Sequence, residues 1–427
     1  MFKVLVIAYY YPPMGLSGVQ RTLKFTKYMK RFNWEPTVIT AGNVAYFAHD
    51  VGLLKEAEEA GVRIIRTEAF DLNSMIGKKY GTVNMPKEYL RKLYSKFTKT
   101  FFIPDNKRSW AKRAYRTAQD ILMKEKFDII YATIPPYSSF MYAAKLKKEF
   151  KIPLFVDYRD LWLGNHFAFY PSPYHRNRHK KLEYEALHAS DKIIAINRRI
   201  KEKLLTTYQF LTFDDIQIIP HGFDPEDFQS DDVVRTAANK MKLTYSGIFY
   251  ENITPEYLLK AFKELSVERP DIAANIELEF IGHLRDENRK LISQLGLNEF
   301  VRDYGYMEHA ESVKKLRASD VLWMMIGNIQ NAETISTSKL FEYFGTRKPV
   351  LGCVPTDGAA AAALKEYGAS FVCKPDNIGE IKNKIIEIHN LFINKNLPVP
   401  NEEFVKKHDR VFLTEQLTTS FQFFLEE

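Results

Sequence analysis

The stretch KVLVIAYYYPPMGLSGVQR at residues 3–21 passes from a short apolar run, through a loop with two glycines, into a pattern with helical spacing. The apolar run does not alternate with polar residues, which is typical of a strand buried on both faces of a parallel sheet. Gly15 and Gly18 let the backbone approach a ligand, and the following helix offers unpaired N–H groups to an anion. The spacing is neither Gly-x-Gly-x-x-Gly nor a Walker loop, so it does not support a dehydrogenase or a P-loop enzyme. An ordinary strand-to-helix turn is the alternative.

Short β-rich runs alternate with longer helical patterns along the rest of the chain. This alternation predicts parallel βαβ units. We therefore predict an α/β fold with two doubly wound, Rossmann-like parallel-sheet domains, which we expect to face a central cleft. The predicted strands are residues 3–9, 36–40, 62–66, 128–133, 153–157, 192–196 and 217–219, then 242–246, 277–281, 301–304, 321–325, 349–353 and 370–373.

The pattern breaks at residues 220–222, and an acidic, polar stretch follows. This break predicts an N-terminal domain at residues 1–225 and a C-terminal domain at residues 226–400. We predict that the last segment, residues 401–427, forms one more helix, and we expect it to return to the N-terminal domain. The length of 427 residues agrees with this division, because a domain has on the order of 150 residues.

The composition is that of a globular protein, with 45% hydrophobic and 27% charged residues, which excludes wholesale disorder. The two cysteines, Cys353 and Cys373, form no Cys-x-x-Cys motif and no Cys/His cluster, so the sequence supports neither a disulfide framework nor a zinc site. The N-terminal apolar run is too short for a signal peptide, and no window has the roughly 18 apolar residues that span a bilayer. We expect a cytoplasmic protein.

Residues 87–116 form a strongly basic segment with ten lysines and arginines against two acidic residues. Its net charge of +8 equals that of the whole chain. Aromatic and aliphatic side chains are interleaved with the cations, a mixture typical of segments that lie on an anionic membrane surface. The alternative is a solvated helix face, and Pro104 interrupts any single long helix. We expect no nucleic-acid partner, because no recognition motif accompanies the charge.

Charged side chains also follow the fifth predicted strand, in the stretch Asp157-Tyr158-Arg159-Asp160-Leu161-Trp162. Such a group beside a tryptophan could orient a polyhydroxylated ligand through hydrogen bonds and ring stacking. An internal ion pair between Arg159 and an aspartate, which would shape the loop, is the alternative.

The second half is most informative around the predicted helix that follows Ser336-Thr337-Ser338. Lys339 lies in the first turn, where the helix dipole favours an anion, and Glu342 lies on the same face one turn further. A diphosphate beside the lysine and a ribose diol on the carboxylate would explain both residues, whereas a surface ion pair is the alternative. Glycines after two strands, in Ser246-Gly247 and Gly282-His283, could bring backbone amides near phosphates or could serve only as turns.

Four motifs together make the whole chain resemble a GT-B glycosyltransferase of the retaining family 4 type. They are residues 4–21, residues 157–162, Ile219-Pro220-His221-Gly222-Phe223-Asp224, and residues 339–351, and they occur in the order of the family. The resemblance implies two Rossmann-like domains, an N-terminal one for the acceptor and a C-terminal one for a nucleotide-sugar donor. It also implies that no metal or other cofactor is used, and the sequence has no Asp-x-Asp triplet.

The resemblance implies a role for each candidate residue. Glu342 would bind the ribose, and Lys339 with the amides after Ser336 would hold the diphosphate. The other implied residues are Ser246, Gly247 and Ser338 in the donor site, Gly15 and Gly18 near the reacting sugar, Arg159 and Asp160 facing the sugar or the acceptor, and Arg21 and His221 at the acceptor site or the hinge.

The sequence departs from the family pattern at three places. Thr334 stands where the family has the first carboxylate of Glu-x7-Glu, and Glu333 is one residue out of register. No arginine or lysine follows Ser246-Gly247 within residues 248–252, and Leu16 stands where a second glycine often lies.

The implied activity is the retaining transfer of a sugar from a nucleoside-diphosphate sugar to a glycan or lipid-linked acceptor. We expect a role in bacterial cell-envelope or polysaccharide synthesis, with the protein peripheral on the inner face of the plasma membrane. Two alternatives stay open. The three departures favour a non-catalytic carbohydrate- or nucleotide-binding module, and a nucleotide-sugar epimerase would share the double-Rossmann architecture.

Overall fold

The computed structural model describes residues 1–15, 17–42, 44, 46, 49–68, 88–165, 168–229, 240–249 and 253–426, and it gives residues 17, 88–92 and 94 through their backbone alone. Leu16, Lys87 and residues 250–252 of the sequence motifs lie outside the described residues. The chain divides into two units, one of Met1–Pro220 with Arg410–Glu427 and one of His221–Asp409. The division lies after Pro220, whereas the sequence places the boundary after residue 225.

The first unit is built on a sheet of seven parallel strands in the order β3-β2-β1-β4-β5-β6-β7. The strands are β1 (Phe2–Ile7), β2 (Trp34–Ala41), β3 (Arg63–Thr67), β4 (Ile129–Ile134), β5 (Leu154–Tyr158), β6 (Lys192–Ala195) and β7 (Ile216–Ile218). Its helices include α1 (Ser17–Tyr28), α2 (Val51–Glu59), α3 (Glu88–Phe101), α4 (Arg108–Leu122), α5 (Tyr137–Phe150), α6 (Pro173–Ala189) and α7 (Arg198–Thr207).

The second unit is built on a sheet of six parallel strands in the order β10-β9-β8-β11-β12-β13. The strands are β8 (Met241–Ser246), β9 (Ile276–Ile281), β10 (Val301–Asp303), β11 (Val321–Met325), β12 (Val350–Cys353) and β13 (Ser370–Cys373). Its helices include α8 (Glu256–Glu268), α9 (Pro270–Ala273), α10 (Asp286–Gln294), α11 (His309–Ala318), α12 (Ser338–Thr346), α13 (Ala359–Tyr367), α14 (Ile378–Ile393) and α15 (Glu402–Lys407). The predicted class of two doubly wound parallel sheets is confirmed.

The uninterrupted apolar runs follow from burial on both faces of each sheet. In β1, Leu5 and Ile7 face one hydrophobic cluster, while Val4 and Val6 face another on the opposite side. The strand β11 is divided in the same way between two clusters of the second unit. Since successive side chains of a strand point to opposite faces, helices that cover both faces require apolar residues at every position.

The prediction of a single helix at residues 401–427 is wrong. Two helices are present, α15 (Glu402–Lys407) in the second unit and α16 (Arg410–Glu426) in the first. The chain leaves the helical path between them because Phe223 pairs with Asp409 in a parallel β-bridge and donates its N–H to the carbonyl of His408 at 3.0 Å.

The basic segment contains two helices rather than one. The helix α3 ends at Phe101 and α4 begins at Arg108, on either side of Pro104. Asp105 in the break accepts hydrogen bonds from the backbone N–H and the hydroxyl of Ser138, both at 2.8 Å. Within the described ranges, no helix is long and apolar enough to cross a membrane.

Candidate functional site

The second sheet changes its winding direction between β8 and β11, since the chain continues from β8 to β9 on one side and later adds β11 on the other. Ligands of open α/β sheets bind beyond the carboxyl ends of the strands at such a point. Ser246 ends β8 and Gly247 follows it, and the chain after β11 leads to the N-terminus of α12. The structure therefore brings the predicted donor residues of this unit to one edge of its sheet.

Gly247 lies in a close approach between backbone segments. Its φ is +135°, and a side chain there would collide with the ammonium of Lys339. Gly282, at the end of β9, has a φ of +118°, and a side chain there would collide with the carbonyl group of Gly247. Both conformations favour glycine, so these two residues keep the edge of the sheet open at Lys339.

The backbone amides of Ser246 and Gly247 already have acceptors. The Ser246 N–H donates to the hydroxyl of Tyr343 at 2.8 Å, and the Gly247 N–H donates to the carbonyl of Ile281 at 2.8 Å. These amides are not available to a phosphate, in contrast to what the glycine after the strand suggests. The two residues offer a ligand the Ser246 hydroxyl, which lies 3.3 Å from the hydroxyl of Ser312, and the space that Gly247 leaves because it has no side chain.

Lys339 is the cation of this edge. It lies in the first turn of α12, and its Nζ donates a hydrogen bond to the hydroxyl of Tyr245 at 2.7 Å. The same Nζ lies 4.0 Å from the centroid of the Tyr245 ring. Burial lowers the pKa of Lys339 to about 7, although the Glu342 carboxylate acts in the opposite direction. A cation at a helix N-terminus opposes the helix dipole, so a bound anion would stabilise its charged form.

The N-terminus of α12 also has polar groups without internal partners. Thr337, the residue before the helix, makes no side-chain capping bond, and its buried Oγ1 has no hydrogen-bond partner among the described residues. Ser338 begins the helix and is partly exposed. The first N–H groups of a helix have no intrahelical acceptor, so this end can accept a phosphate group.

Glu342 lies one turn further along α12 and does not pair with Lys339. Its Oε1 lies 3.6 Å from Nδ1 of His309, beyond hydrogen-bond distance, and has no hydrogen-bond partner in the described part of the chain. The Nε2 of His309 lies 2.9 Å from Oδ2 of Asp227. The predicted alternative of a surface Lys339–Glu342 ion pair is therefore wrong, and the carboxylate is left with capacity to accept hydrogen bonds.

Thr334 lies in a short 3-10 helix, Ala332–Thr334, and is buried. Its hydroxyl donates to the carbonyl of Asn331 at 2.7 Å. The side chain is engaged within its own turn, so it does not replace the carboxylate that the family pattern has at this position.

The first sheet changes its winding direction between β1 and β4, and the loop after β1 lies at that point. Gly15 in the loop is buried, whereas Gly18 in the first turn of α1 is exposed and has open space where a side chain would lie. Neighbouring segments hold this loop. The carbonyl of Pro12 accepts from Arg66 at 2.8 Å, and that of Pro13 accepts from the N–H of Asp50 at 2.9 Å.

Arg21 is a structural residue of the first unit. Its guanidinium is fully buried and donates to both carboxylate oxygens of Asp157, at 2.8 to 3.0 Å. It also donates to the carbonyls of Ile219 and Pro220, the last residues of this part of the unit. Of the two roles predicted for Arg21, at the acceptor site or at the hinge, the buried guanidinium has no contact to offer an acceptor, and its bonds to Ile219 and Pro220 lie next to the point where the chain divides.

Arg159 holds the first loop rather than pairing with an aspartate. Its guanidinium donates to the carbonyl of Gly18 at 2.6 Å and to those of Ile134 and Pro135 at 3.2 Å. The predicted alternative, an internal ion pair of Arg159 with a neighbouring aspartate, is therefore also wrong. Arg159 ties the end of β4 to the start of α1.

Asp160 follows β5, and its carboxylate stays available. It is partly exposed, and it makes no hydrogen bond or ion pair with another residue that the structure describes. Beside it, Tyr137 stacks on Trp162 with ring centroids 4.9 Å apart and an interplanar angle of 12°. The carboxylate and the Tyr137 ring together have the chemistry of a carbohydrate site.

A buried network supports the loop after β5. Glu183 on α6 accepts hydrogen bonds from the hydroxyls of Tyr158 and Tyr208 and from the N–H of Leu163. Burial raises the pKa of Glu183 to about 7. The indole of Trp162 donates to His179 at 2.9 Å, and burial lowers the pKa of His179 to about 4.

His221 begins the second unit, and its buried ring lies 6.0 Å from that of Phe341 on α12. Three residues of this site were not predicted from the sequence: Tyr245, which contacts Lys339, His309, which lies beside Glu342, and Asp227, which contacts His309. Tyr245 directly precedes Ser246-Gly247, a signal that could have been used, whereas no spacing connects residues 227, 309 and 342. Among the described residues, no group of three or more His, Cys, Asp or Glu side chains could hold a metal ion.

Comparisons with known proteins agree with this architecture. Residues 18–227 match the family described as Glycosyltransferase Family 4. No curated protein matches the chain. Sucrose-phosphate synthase from Thermosynechococcus elongatus has a similar structure, with a TM-score of 0.69, 15% identity and 100% of each chain covered.

Two further solved structures are similar over the whole chain. A glycosyltransferase from Rickettsia africae has a TM-score of 0.65 and 14% identity, with 100% of this chain and 99% of that one covered. Anabaena HepE, solved in complex with UDP-glucose, has a TM-score of 0.63 and 15% identity, with 99% of this chain and 100% of that one covered. These likenesses show the GT-B fold.

Proposed function

Because the chain is a glycosyltransferase of the GT-B fold whose residues 18–227 belong to Family 4, we propose that it transfers a sugar from a nucleoside-diphosphate sugar with retention of configuration. The observation that carries the proposal is the pair of Lys339 and Glu342 on α12. A partly buried lysine at a helix N-terminus, one turn before a carboxylate that makes no hydrogen bond with another described residue, matches the diphosphate and the ribose of one ligand.

The donor would bind with its diphosphate against Lys339 and the first turn of α12. As the bond between the sugar and the diphosphate breaks, negative charge grows on the leaving oxygen. The charged Lys339 and the helix N-terminus stabilise that charge, and Glu342 fixes the nucleoside by accepting from the ribose hydroxyls. Most of the catalytic effect then comes from positioning and from neutralisation of the leaving group, and we propose no metal for it.

The acceptor side of the reaction is assigned to the first unit. We propose that the exposed Gly18 and the available Asp160, with the stacked Tyr137, contact the reacting sugar or the acceptor. Arg159 acts indirectly, because it holds the carbonyl of Gly18. HepE, one of the similar structures, is described with UDP and with UDP-glucose, which supports a nucleotide-sugar donor for this chain as well.

The basic segment supports a lipid-linked acceptor at an anionic membrane surface, and with it a role in bacterial cell-envelope or polysaccharide synthesis. On α3, the side chains of Leu93, Phe97 and Phe101 are exposed together with Lys96. Arg108 and Lys112 are exposed on α4. Apolar side chains that enter the interface beside cations that meet anionic headgroups are the features that hold a protein on a bilayer from one side. The enzyme would then work at the inner face of the plasma membrane.

Donor turnover tests the proposed activity. The wild-type protein is incubated with UDP-, GDP- and ADP-sugars and an extract of bacterial lipid-linked glycans, and the released nucleoside diphosphate is measured. We expect one donor to be consumed, a product with the anomeric configuration of that donor, and loss of turnover in Lys339→Met and Glu342→Gln.

The turnover experiment also separates the alternatives. The engaged hydroxyl of Thr334 favours a binding module, because the family position offers no carboxylate to the sugar. A donor that binds tightly but is never consumed would support the binding module. A donor that changes into a sugar isomer without an acceptor would support an epimerase.

A further inference from the structure

The carboxylate of Glu342 is held incompletely. Its Oε1 is buried and has no hydrogen-bond partner among the residues that the structure describes. The cation on its own helix, Lys339, donates to Tyr245 instead. A carboxylate that must accept from two ribose hydroxyls needs a fixed orientation, because a rotating acceptor loses affinity for a diol.

One polar hydrogen-bonding group stands beside this oxygen on a neighbouring helix. His309, the first residue of α11, places Nδ1 at 3.6 Å from Oε1 of Glu342. On its other side, Nε2 lies 2.9 Å from Oδ2 of Asp227, in the 3-10 helix Pro225–Phe228. The imidazole thus lies between two carboxylates, and its side chain is mostly buried.

The direction of the hydrogen bonds follows from which atoms of these side chains can donate. An ionised carboxylate only accepts, so the contact with Asp227 requires a hydrogen on Nε2 of His309. In its doubly protonated form, the imidazole also carries an N–H on Nδ1, on the side of Glu342. A small rotation of the Glu342 carboxylate would shorten the 3.6 Å separation to a hydrogen bond.

We infer that His309 is a positioning residue for ribose recognition, an inference that rests on the proposed donor site. Asp227 anchors the ring through Nε2, and the N–H on Nδ1 holds Oε1 of Glu342. The second carboxylate oxygen is thereby presented to the 2′- and 3′-hydroxyls of the nucleotide. His309 does not touch the donor, so its effect should be confined to the discrimination of the ribose diol.

Two variants distinguish the contact of the His309 ring with Glu342 from its contact with Asp227. In His309→Asn the side-chain amide lies near the position of Nδ1 and can still donate to Glu342, but it does not reach Asp227. In His309→Gln the amide lies near the position of Nε2, so it keeps the contact with Asp227 and loses that with Glu342. Asp227→Ala, which removes the anchor, is a second way to disturb the ring.

The measurement is calorimetric binding of the nucleoside diphosphate that the wild type prefers among UDP, GDP and ADP, and of its 2′,3′-dideoxy counterpart. We expect the wild type to prefer the ribose form by roughly 10-fold or more. His309→Gln should lose most of that ratio, Asp227→Ala should lose part of it, and His309→Asn should keep it. All three should bind the dideoxy form as the wild type does.

Two outcomes would overturn the inference. One is an unchanged ratio in both His309→Gln and Asp227→Ala, and the other is an equal loss of the ratio in the asparagine and glutamine variants. Failure of the donor site itself gives a different result. In that case the wild type binds none of the nucleotides, or Glu342→Gln leaves the ratio as it is.

Discussion

Lys339 is held in a place where a positive charge is costly, partly buried beside Tyr245 at the start of a helix. Its pKa is lowered to about 7 by this burial. A bound diphosphate favours the charged ammonium, so affinity should be highest below the pKa and should fall as pH rises from about 7 to about 9.

The measurement is the dissociation constant of the preferred nucleoside diphosphate across that range in the wild type and in Lys339→Met. The variant should bind roughly 10- to 100-fold more weakly near neutral pH and should lose most of the pH dependence. Lys290→Met, an exposed lysine of α10, is the control and should behave as the wild type. A pH dependence as steep in Lys339→Met as in the wild type would refute the assignment.

Glu183 gives a second prediction at the scale of the residue, this time for stability. Its pKa is raised by burial from an ordinary value near 4.5 to about 7. The group therefore contributes its full stability below about pH 4.5, and the contribution is lost as pH rises through 7. Relative to Glu183→Gln, the wild type should lose about 3 kcal/mol across this window.

Chemical denaturation at pH 5 and pH 8, followed by tryptophan fluorescence, to which the first unit contributes Trp34, Trp110 and Trp162, measures this difference. His179 stays neutral over the same window, because its pKa is lowered to about 4. Its contribution is present in both proteins and cancels in the comparison. Equal pH dependence in the wild type and Glu183→Gln would show that the carboxyl group is ionised in the folded state.

At the scale of the element, the last helix completes a hydrophobic cluster of the first unit. On α16, Leu413, Leu417 and Phe421 are fully buried in the cluster that includes Trp34 and Phe155. The Phe421 ring lies 5.0 Å from Trp34 and 4.8 Å from Phe155. Phe421→Ala should cost about 3 to 5 kcal/mol, because it leaves a cavity in this core.

The same helix carries the matched control, Phe423, which is 65% exposed. Phe423→Ala should change the free energy of unfolding by less than about 0.5 kcal/mol. Thermal unfolding should show a Tm lower by roughly 10 °C for Phe421→Ala and nearly unchanged for Phe423→Ala. Similar Tm values for the two variants would contradict the packing of α16.

The helix α3 gives the prediction for the membrane. Lys96→Gln with Phe97→Ser and Phe101→Ser removes one exposed cation and two exposed rings. Binding to phosphatidylglycerol-rich vesicles should fall by roughly 10-fold, since one cation contributes about 1 kcal/mol and the rings add apolar burial. Cosedimentation at low and raised salt measures it.

A pair of exposed residues in the other unit is the control for vesicle binding. Val267→Ser with Lys290→Gln removes one exposed apolar side chain and one exposed cation and should leave binding as in the wild type. If the α3 variant binds as well as this control, or if wild-type binding is insensitive to salt, α3 is a solvated helix face.

At the scale of the whole molecule, the two sheets could be predicted because their central strands are buried on both faces and therefore consist of apolar residues. Val4 to Ile7 are apolar at every position for this reason, and the same holds for β11. The break between α15 and α16 could not be predicted, because it depends on a bridge between Phe223 and the distant Asp409.

The candidate site could likewise be predicted only in part. Lys339 and Glu342 could be found because their spacing on one helix has a chemical meaning by itself. Tyr245 could have been found from its place directly before Ser246-Gly247. His309 and Asp227 could not, since they come from other elements and assemble beside Glu342 only in the folded unit. The pairing of Arg21 with Asp157 could not be predicted, because an arginine beside a glycine loop has the same sequence pattern whether it binds a ligand or an internal carboxylate.

The central claim is that α12 carries the donor site, and calorimetric binding of UDP, GDP, ADP and CMP without metal tests it most directly. The wild type should bind one nucleoside diphosphate clearly more tightly than the others. Glu342→Ala and Lys339→Met should each weaken that binding by roughly 10-fold or more. Thermal unfolding of both variants should give the Tm of the wild type, which shows that the fold is kept. Binding of none of the four nucleotides, or equal binding by the wild type and both variants, would contradict the account.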